Sequence, residues 1–284
     1  MRRSFLQRTF IALTGLFVGG ALTFAPAAAS AQSLTPIKYA ALGDSIAAGA
    51  GLPLMMGASN EDKACARSDA AYPHLVAQYL QASLSHIACS GATVSDLYGS
   101  QTAQGLNLTP QIDAAFANGK PDVITLTIGA NDLNWSQVVG QCYATTCGTS
   151  WSQDAALAVA RGYLRIKLAA ALFDIDQKSN FQPPKVIVTS YFAPFSTSAP
   201  ACADTQGITT SEMQWVNGQE AKLDQAIKSV SDLFGNMTTY VPVNFSGHEL
   251  CTAEPWIQGL HAPAAFHPTV AGQAAIAKAV EATL

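Results

Sequence analysis

The sequence has few charged side chains. Lysine, arginine, aspartate and glutamate make up 12% of its 284 residues, against 49% hydrophobic residues. So little charge argues against an intrinsically disordered chain or a coiled coil, and the apolar content suffices for a large core. The sequence also lacks any cluster of lysine and arginine. Nucleic acids and anionic membrane surfaces attract proteins through such clusters, so we expect neither as a partner.

Long apolar runs are also missing beyond the N-terminal segment. None approaches the about 18–20 residues that a membrane-spanning helix needs, so we expect no stable membrane anchor. The N-terminus itself has the parts of an export signal. Arg2, Arg3 and Arg8 make it basic, residues 10–22 are apolar, and residues 29–31 form an A-x-A cleavage pattern. The arginine pair resembles a twin-arginine signal but is also common in ordinary signals, so both export routes stay open.

We therefore predict a signal peptide over residues 1–31 and a single mature domain over residues 32–284, because no proline-, serine- or charge-rich linker interrupts the latter. Removal of the signal takes away three arginines and leaves 12 basic and 19 acidic residues, a net charge of −7. We expect the mature protein to be secreted and monomeric.

No C-x-x-C motif is present, and no histidine neighbours the closely spaced cysteines, so a zinc site or a redox dithiol is disfavoured. The six cysteines all lie in the mature segment, and an even number in an exported protein indicates three disulfides. Six cysteines allow many connectivities, of which their order favours the sequential one. That order pairs Cys65 with Cys89, Cys142 with Cys147, and Cys202 with Cys251.

Five short apolar or β-branched segments predict strands, and helix-length segments lie between them. The strands are expected at 37–42, 84–88, 123–128, 186–190 and 240–244, and the helices at 71–81, 154–178, 212–233 and 270–282. Near-continuous apolar runs are typical of parallel strands covered on both faces. Their alternation with helices predicts right-handed βαβ units and a three-layer α/β sandwich.

Polar residues follow the first three predicted strands, where an α/β sheet binds its ligands. Ser45 follows the first strand, Gly91 the second, and Asn131 with Asp132 the third. Each also has an ordinary explanation: Asp44 or Ser45 could cap a helix, and the others could form turns. As a group they suit acyl chemistry, because a serine can attack a carbonyl while main-chain N–H groups and an asparagine amide hold the developing oxyanion.

A histidine stands at the start of the last predicted helix. His267 lies in a loop, with Pro268 suited to the first helical turn and Thr269 to the cap, so its side chain can reach another element. The other four histidines are weaker candidates, two at helix or strand positions and two in loops: His74, His86, His248 and His261.

The four motifs together resemble those of the SGNH hydrolases, also called GDSL esterases and lipases. The resemblance rests on Gly-Asp-Ser at 43–45, Gly91, Gly-Ala-Asn-Asp at 129–132, and His-Pro-Thr-x-x-Gly-Gln at 267–273. It spans nearly the whole mature chain and suits the secreted bacterial branch with three sequential disulfides. A G-x-S-x-G elbow, the mark of the unrelated α/β-hydrolase fold, is absent.

This resemblance implies a flavodoxin-like three-layer α/β/α sandwich with a five-stranded parallel sheet. It implies a secreted serine carboxylic-ester hydrolase that acts by acyl transfer on lipid or other acyl esters, without a metal or cofactor. By motif, Ser45 corresponds to the nucleophile and His267 to the general base. Ser45, Gly91 and Asn131 correspond to the oxyanion hole, and Asp132 is expected to brace the Asn131 turn.

One position departs from the family pattern. The family usually has an aspartate three residues before the histidine, and here that residue is Ala264. No carboxylate lies between Glu254 and His267. The imidazole still needs an acceptor for its Nδ1–H group, for which we expect the main-chain carbonyl of Ala264, with Glu254 as the alternative.

Substrate preference is less well determined. The apolar segment 51–57, which contains two methionines, could line an acyl pocket or pack into the core, and Trp135 could also line the pocket. A carbohydrate O-deacetylase on the same fold is the first alternative. A non-catalytic binding module is the second.

Overall fold

The central sheet contains five parallel strands, and a separate two-stranded antiparallel hairpin is formed by β3 and β4. The computed structural model describes residues 36–284, so the predicted signal peptide lies outside the described residues. The strands are β1 Lys38–Gly43, β2 Ser83–His86, β3 Thr102–Ala103, β4 Leu106–Asn107, β5 Val123–Thr127, β6 Lys185–Thr189 and β7 Thr238–Val241.

The strand order of the sheet is β2-β1-β5-β6-β7, with every neighbouring pair parallel. This arrangement confirms the predicted α/β fold. The C-terminal ends of β2 and β7 differ most from the prediction, since these strands end two and three residues before the apolar runs at 84–88 and 240–244 do. After β2 the chain leaves the ladder because the N–H groups of Ile87 and Ala88 both donate to the Ala41 carbonyl.

Helices connect the strands on both faces of the sheet. They are α1 Ser45–Ala48, α2 Asn60–Cys65, α3 Tyr72–Leu80, α4 Gln111–Phe116, α5 Trp135–Ala144, α6 Trp151–Lys178, α7 Thr210–Leu233 and α8 Val270–Glu281. Because parallel crossovers are right-handed, α3 lies opposite α4, α6 and α7, which lead to strands on the other side of β1. Accordingly, α6 packs on α7, and α3 packs on α8. The helices α2, α4 and α5 were not predicted.

The interior of the sheet contains polar groups that are paired with one another. Tyr39 hydrogen-bonds to Thr125 at 2.7 Å, and Tyr72 hydrogen-bonds to Thr127 at 2.9 Å. The Thr127 hydroxyl also contacts Thr189 at 2.6 Å. A buried hydroxyl without a hydrogen-bond partner would lower the stability of the fold by about 1–3 kcal/mol. The network avoids this loss, because each of these hydroxyl groups has a partner in the core.

Three disulfides join the cysteines in sequential order: Cys65 with Cys89, Cys142 with Cys147, and Cys202 with Cys251. The first fixes the loop after β2 against α2. The second closes the chain at the end of α5. Within residues 36–284, no helix is both long and apolar enough to cross a membrane.

Candidate active site

The turn after β1 places Ser45 at the carboxyl edge of the sheet. Gly43 has a φ of +135°, and a Cβ atom on it would lie 2.2 Å from the Thr127 carbonyl oxygen, so only glycine fits. Asp44 is the N-cap of α1, and its carboxylate accepts the Ile46 N–H group at 2.9 Å. Asp44 therefore performs the capping that the sequence suggested, which leaves the Ser45 hydroxyl free for another partner.

That partner is His267. Its Nε2 atom lies 2.7 Å from Ser45 Oγ, across 222 residues of sequence. The other ring nitrogen, Nδ1, lies 3.0 Å from the Ala265 carbonyl oxygen. An Nδ1–H donor to that carbonyl leaves Nε2 as an acceptor for the serine proton. The two side chains thus have the geometry of a nucleophile and its base.

The main-chain carbonyl in hydrogen-bond contact with the His267 ring belongs to Ala265, one residue after the expected Ala264. The Ala264 carbonyl accepts the main-chain N–H group of His267 at 3.2 Å. Phe266 has a φ of +65°, and this left-handed turn leaves the Ala265 carbonyl to meet the ring. The alternative, Glu254, is exposed, and its main-chain oxygen contacts the His248 ring at 2.8 Å.

The loop that carries His267 is held as a short paired segment. Pro268 forms an isolated bridge with Ile257. The N-cap of α8 is Thr269, and the helix starts at Val270. Pro268 therefore precedes the helix, whereas the sequence had suggested that it lies in the first helical turn. This pairing fixes the direction from which the imidazole approaches Ser45.

Two buried glutamines tie this loop to the helix that begins with Ser45. Gln258 Nε2 donates to the carbonyls of Ala50 and Pro268 at 3.0 and 2.9 Å. From α8, Gln273 Nε2 donates to the Ile46 carbonyl at 2.9 Å. Neither glutamine was predicted as a site residue. They set the distance between nucleophile and base without taking part in the chemistry.

Asn131 and the Gly91 turn meet beside the serine. One N–H of the Asn131 amide donates to the Ala92 carbonyl at 2.8 Å, which leaves its second N–H for a ligand. Gly91 has a φ of +80° and is exposed, and its N–H group has no acceptor among residues 36–284. Ser45, Asn131 and His267 line one cavity, and Gly91 is not among the residues in its walls.

Asp132 braces this corner, as the sequence predicted. Its carboxylate accepts the Val94 N–H group at 2.8 Å and contacts the Lys167 ammonium at 3.1 Å. The carboxylate is almost fully buried. The first contact connects the turn after β5 to the segment that follows Gly91, and the second connects this turn to α6.

Tyr191 is a site residue that the sequence did not reveal. Its hydroxyl donates to the Asp44 carboxylate and accepts the Ala130 N–H group at 3.0 Å. One phenol thus connects the Ser45 turn to the Asn131 turn. Burial raises the pKa of Asp44 from 3.8 to about 7, although the hydrogen bonds from Tyr191 and Ile46 act in the opposite direction.

Burial also lowers the pKa of His267 below 6.5, against the opposing effect of the Ala265 and Ala264 carbonyls. A base must be neutral to accept a proton, so a lowered pKa keeps the active form populated in mild acid. We expect the acid limb of the kcat/KM profile for ester hydrolysis to have its midpoint below the ordinary histidine value of about 6.5.

The control for this profile is Asp44→Asn, because Asp44 titrates near the same range. If titration of His267 causes the acid limb of the kcat/KM profile, the pH of its midpoint should not change when Asp44 is replaced. A midpoint at or above about 6.5, or one that vanishes with Asp44, contradicts this assignment.

A cavity of about 390 Å³ opens beside the serine. Its walls are largely aromatic and aliphatic, as shown by Trp135, Tyr143, Phe192, Leu223 and Phe266. The predicted apolar segment 51–57 does not line it. Within that segment Met56 is 92% exposed and Leu54 is 48% exposed. The segment therefore neither lines the cavity nor packs into the core, and both of these predictions were wrong.

Comparison with known proteins supports the same conclusion. The profile of the GDSL-like lipase/acylhydrolase family matches residues 41–275. A lipase from Streptomyces rimosus is 30% identical over 263 residues, which cover 89% of this chain and 88% of that protein. Lipase 1 from Streptomyces coelicolor is 26% identical, with 95% of each chain covered.

Two solved structures have the same fold. An extracellular lipase from Streptomyces rimosus superposes with a TM-score of 0.69 at 24% identity, covering 87% of this chain and all of that one. A phospholipase A1 from Streptomyces albidoflavus gives 0.67 at 25% identity, covering 88% and 100%. The residues matched by the family profile, 41–275, include both Ser45 and His267. The chain belongs to the GDSL-like lipase/acylhydrolase family and is a carboxylic ester hydrolase of the esterase/lipase type.

Proposed function

We propose that Ser45 and His267 perform ester hydrolysis by two-step acyl transfer. The observation that carries this proposal is the 2.7 Å contact between Ser45 Oγ and His267 Nε2 in the wall of an apolar cavity. His267 removes the serine proton as Oγ attacks the ester carbonyl carbon. The bond to the leaving alcohol then breaks, and the alcohol takes the proton from His267. Water repeats both steps on the acyl-enzyme and releases the acid.

Three donors are proposed to hold the oxyanion: the main-chain N–H groups of Ser45 and Gly91 and the free amide N–H of Asn131. Support comes from the N–H groups without acceptors in this corner and from the fixed orientation of the Asn131 amide. Since α1 is a single turn, its macrodipole contributes little, and individual N–H donors carry the stabilisation.

We further propose that the Ala265 carbonyl, and not a carboxylate, orients His267. Replacement of Glu254 by alanine should then leave kcat within a few-fold of the wild-type value, because this exposed side chain takes no part in holding the ring. Steady-state kinetics on one chromogenic ester measure the effect, with Glu249→Ala as the matched carboxylate control. A loss of about a thousandfold, the scale seen when a triad acid is lost, would make Glu254 the missing acid.

The apolar cavity supports lipid or other acyl esters as substrates. A series of chromogenic esters from acetyl to palmitoyl tests this, with acetylated xylan beside it. Hydrolysis should peak at medium or long acyl chains, since each buried CH₂ group is worth about 0.8 kcal/mol. Activity confined to acetyl groups would instead favour the carbohydrate O-deacetylase. The similarity to proteins named lipases supports an ester hydrolase over the non-catalytic binding module.

We also propose that the protein acts outside the cytoplasm as a single domain, residues 32–284, after loss of residues 1–31. Three disulfides support this, because such bonds persist in oxidising compartments. The similarity to a lipase described as extracellular supports it too.

A further inference from the structure

Helix α6 is apolar on the face that points away from the sheet. Its inner face is buried in the core. Four large side chains on the outer face are between 49% and 70% exposed: Val159, Tyr163, Ile166 and Phe173. A helix that is apolar on both faces is normally covered on both, and a contiguous apolar patch on a folded protein marks a surface that binds a partner.

The exposed residues form a regular stripe along α6. Ala156 and Ala170 are exposed as well, and the six residues together are separated alternately by three and four positions. This is the a and d spacing of a coiled coil, which holds one seam of a helix against a second helix. The positions that continue the spacing are polar at both ends, Ser152 and Gln177. We call the six residues the α6 stripe: Ala156, Val159, Tyr163, Ile166, Ala170 and Phe173.

The α6 stripe matches itself in an antiparallel arrangement. Its spacing is the same when read from either end, so a two-fold axis between residues 164 and 165 brings every member of one stripe against a member of the other. In that register Phe173 faces Ala156 of the second copy, and Val159 faces Ala170. Large side chains therefore meet small ones. Parallel pairing would place Phe173 against Phe173 and Ala170 against Ala170, which crowds one layer and leaves a gap in another.

A hollow in the surface lies where this register needs one. Ala156 lines a depression of about 270 Å³ between α5 and α6, together with Val138, Leu157 and Ala160. In the antiparallel register Phe173 of the second copy lies over Ala156, at the edge of this hollow. A large side chain that enters a hollow is the contact by which coiled-coil helices interlock.

The residues beside the stripe are compatible with a second copy. Three of them are charged, namely Lys167, Asp174 and Asp176. In the antiparallel register they face uncharged residues of the second copy, in turn Ala160, Gln153 and Ala155. No like charges therefore oppose each other across the seam. Two stripes would bury on the order of 1,000 Å² of surface, which reaches the lower bound of a specific interface between proteins.

A membrane surface could also cover an apolar stripe, but the direction of α6 argues against it. The helix leaves the carboxyl edge of the sheet after β5 and returns to the other edge before β6, so it runs away from the edge that holds Ser45. A membrane along the stripe would not cover the mouth of the cavity. Helices that lie on lipid are rich in lysine and arginine on their polar face, whereas α6 contains four basic and three acidic residues.

We propose that two copies of this chain associate through the α6 stripe in a two-fold symmetric dimer with antiparallel α6 helices. Closed two-fold dimers are the commonest assemblies of identical chains. Because the helices are antiparallel, the carboxyl edges of the two sheets lie at opposite ends of the dimer, and both cavities beside Ser45 remain open. The dimer departs from the monomer expected from the sequence, and it does not depend on the chemistry proposed for Ser45.

Sedimentation equilibrium of the mature chain, residues 32–284, tests the association. Between about 1 and about 100 μM the mean mass should rise from monomer towards dimer, since an interface of this size gives micromolar affinity. Ile166→Glu places a charge without a partner at the centre of the stripe and should weaken dimerisation at least about 100-fold. The matched control is Tyr79→Glu, because Tyr79 is 58% exposed on α3, on the other face of the sheet. It should dimerise like the wild type, and both variants should keep the wild-type kcat.

Cross-linking with a short bismaleimide tests the register. Ala156→Cys and Phe173→Cys proteins should form a cross-linked dimer when they are mixed, because the two positions face each other. Each variant alone should give little product, since identical positions lie about 25 Å apart along the antiparallel helices. A parallel pair would give the reverse result, with each variant cross-linked to itself.

Three results would overturn this dimer. They are a wild-type chain that stays monomeric at the highest concentration, an Ile166→Glu variant that dimerises like the wild type, and cysteine variants that each cross-link to themselves. If the monomeric wild type binds phosphatidylcholine vesicles and Ile166→Glu does not, the stripe faces a membrane instead. Should Ile166→Glu not fold, the two cysteine variants still decide, since their cross-link does not require it. None of these results bears on ester hydrolysis, which the variants of Ser45 test separately.

Discussion

Replacement of Ser45 by alanine should lower kcat for ester hydrolysis by about 10⁴- to 10⁶-fold, with thermal stability close to that of the wild type. The hydroxyl is the atom that forms the acyl-enzyme, and no other residue can take its place at 2.7 Å from His267 Nε2. The variant keeps the Asp44 cap and the buried side of α1. Steady-state kinetics and a thermal unfolding curve measure the two effects separately.

A double variant tests whether Ser45 and His267 act as one catalytic unit. His267→Ala alone should cost a similar factor, because an unactivated serine is a poor nucleophile. The combined Ser45→Ala/His267→Ala enzyme should be hardly slower than either single variant, since the two residues act as one unit. Additive losses would show that they act independently.

A matched serine serves as control. Ser136 lines the same cavity but has no contact with His267 in the structure. Ser136→Ala should therefore keep kcat within a few-fold. If Ser45→Ala retained full activity while Ser136→Ala lost it, the nucleophile would be misassigned.

Much of this site could be predicted from the sequence, because its parts follow strands. Ser45, Gly91 and Asn131 each come directly after an apolar run, and parallel strands deliver their carboxyl ends to one edge. The same rule predicted the sheet. The strand ends were predicted less accurately, because apolar residues continue past β2 and β7 into loops. There the hydrogen bonding, and not the composition, ends the strand.

The residues that the sequence did not reveal act across long distances in the chain. Tyr191 meets Asp44 over 147 residues, and Gln258 meets Ala50 over 208. Nothing local distinguishes such a tyrosine or glutamine from any other. Their roles depend on which loops the topology brings together, and the choice between Ala264 and Ala265 likewise depended on a single positive φ at Phe266.

Asn131→Ala should lower kcat by about 10²- to 10³-fold and leave KM nearly unchanged, a loss of roughly 3–4 kcal/mol of transition-state stabilisation. The amide is expected to donate to the oxyanion, whose negative charge develops only after attack by the serine. A donor that serves mainly the transition state affects kcat and not substrate binding.

Asn131 also holds the Ala92 carbonyl, so a loss of activity could arise from a displaced Gly91 turn. Gln101 provides the control, because its amide donates to the Ser90 carbonyl at 3.0 Å and braces the same turn from outside the cavity. Gln101→Ala should reduce kcat far less than Asn131→Ala. If both variants lose activity equally, or if both raise KM together with a lower unfolding temperature, Asn131 only braces the turn. A large fall in kcat for Asn131→Ala alone instead assigns its free N–H to the oxyanion, because that N–H is the feature that Gln101 does not share.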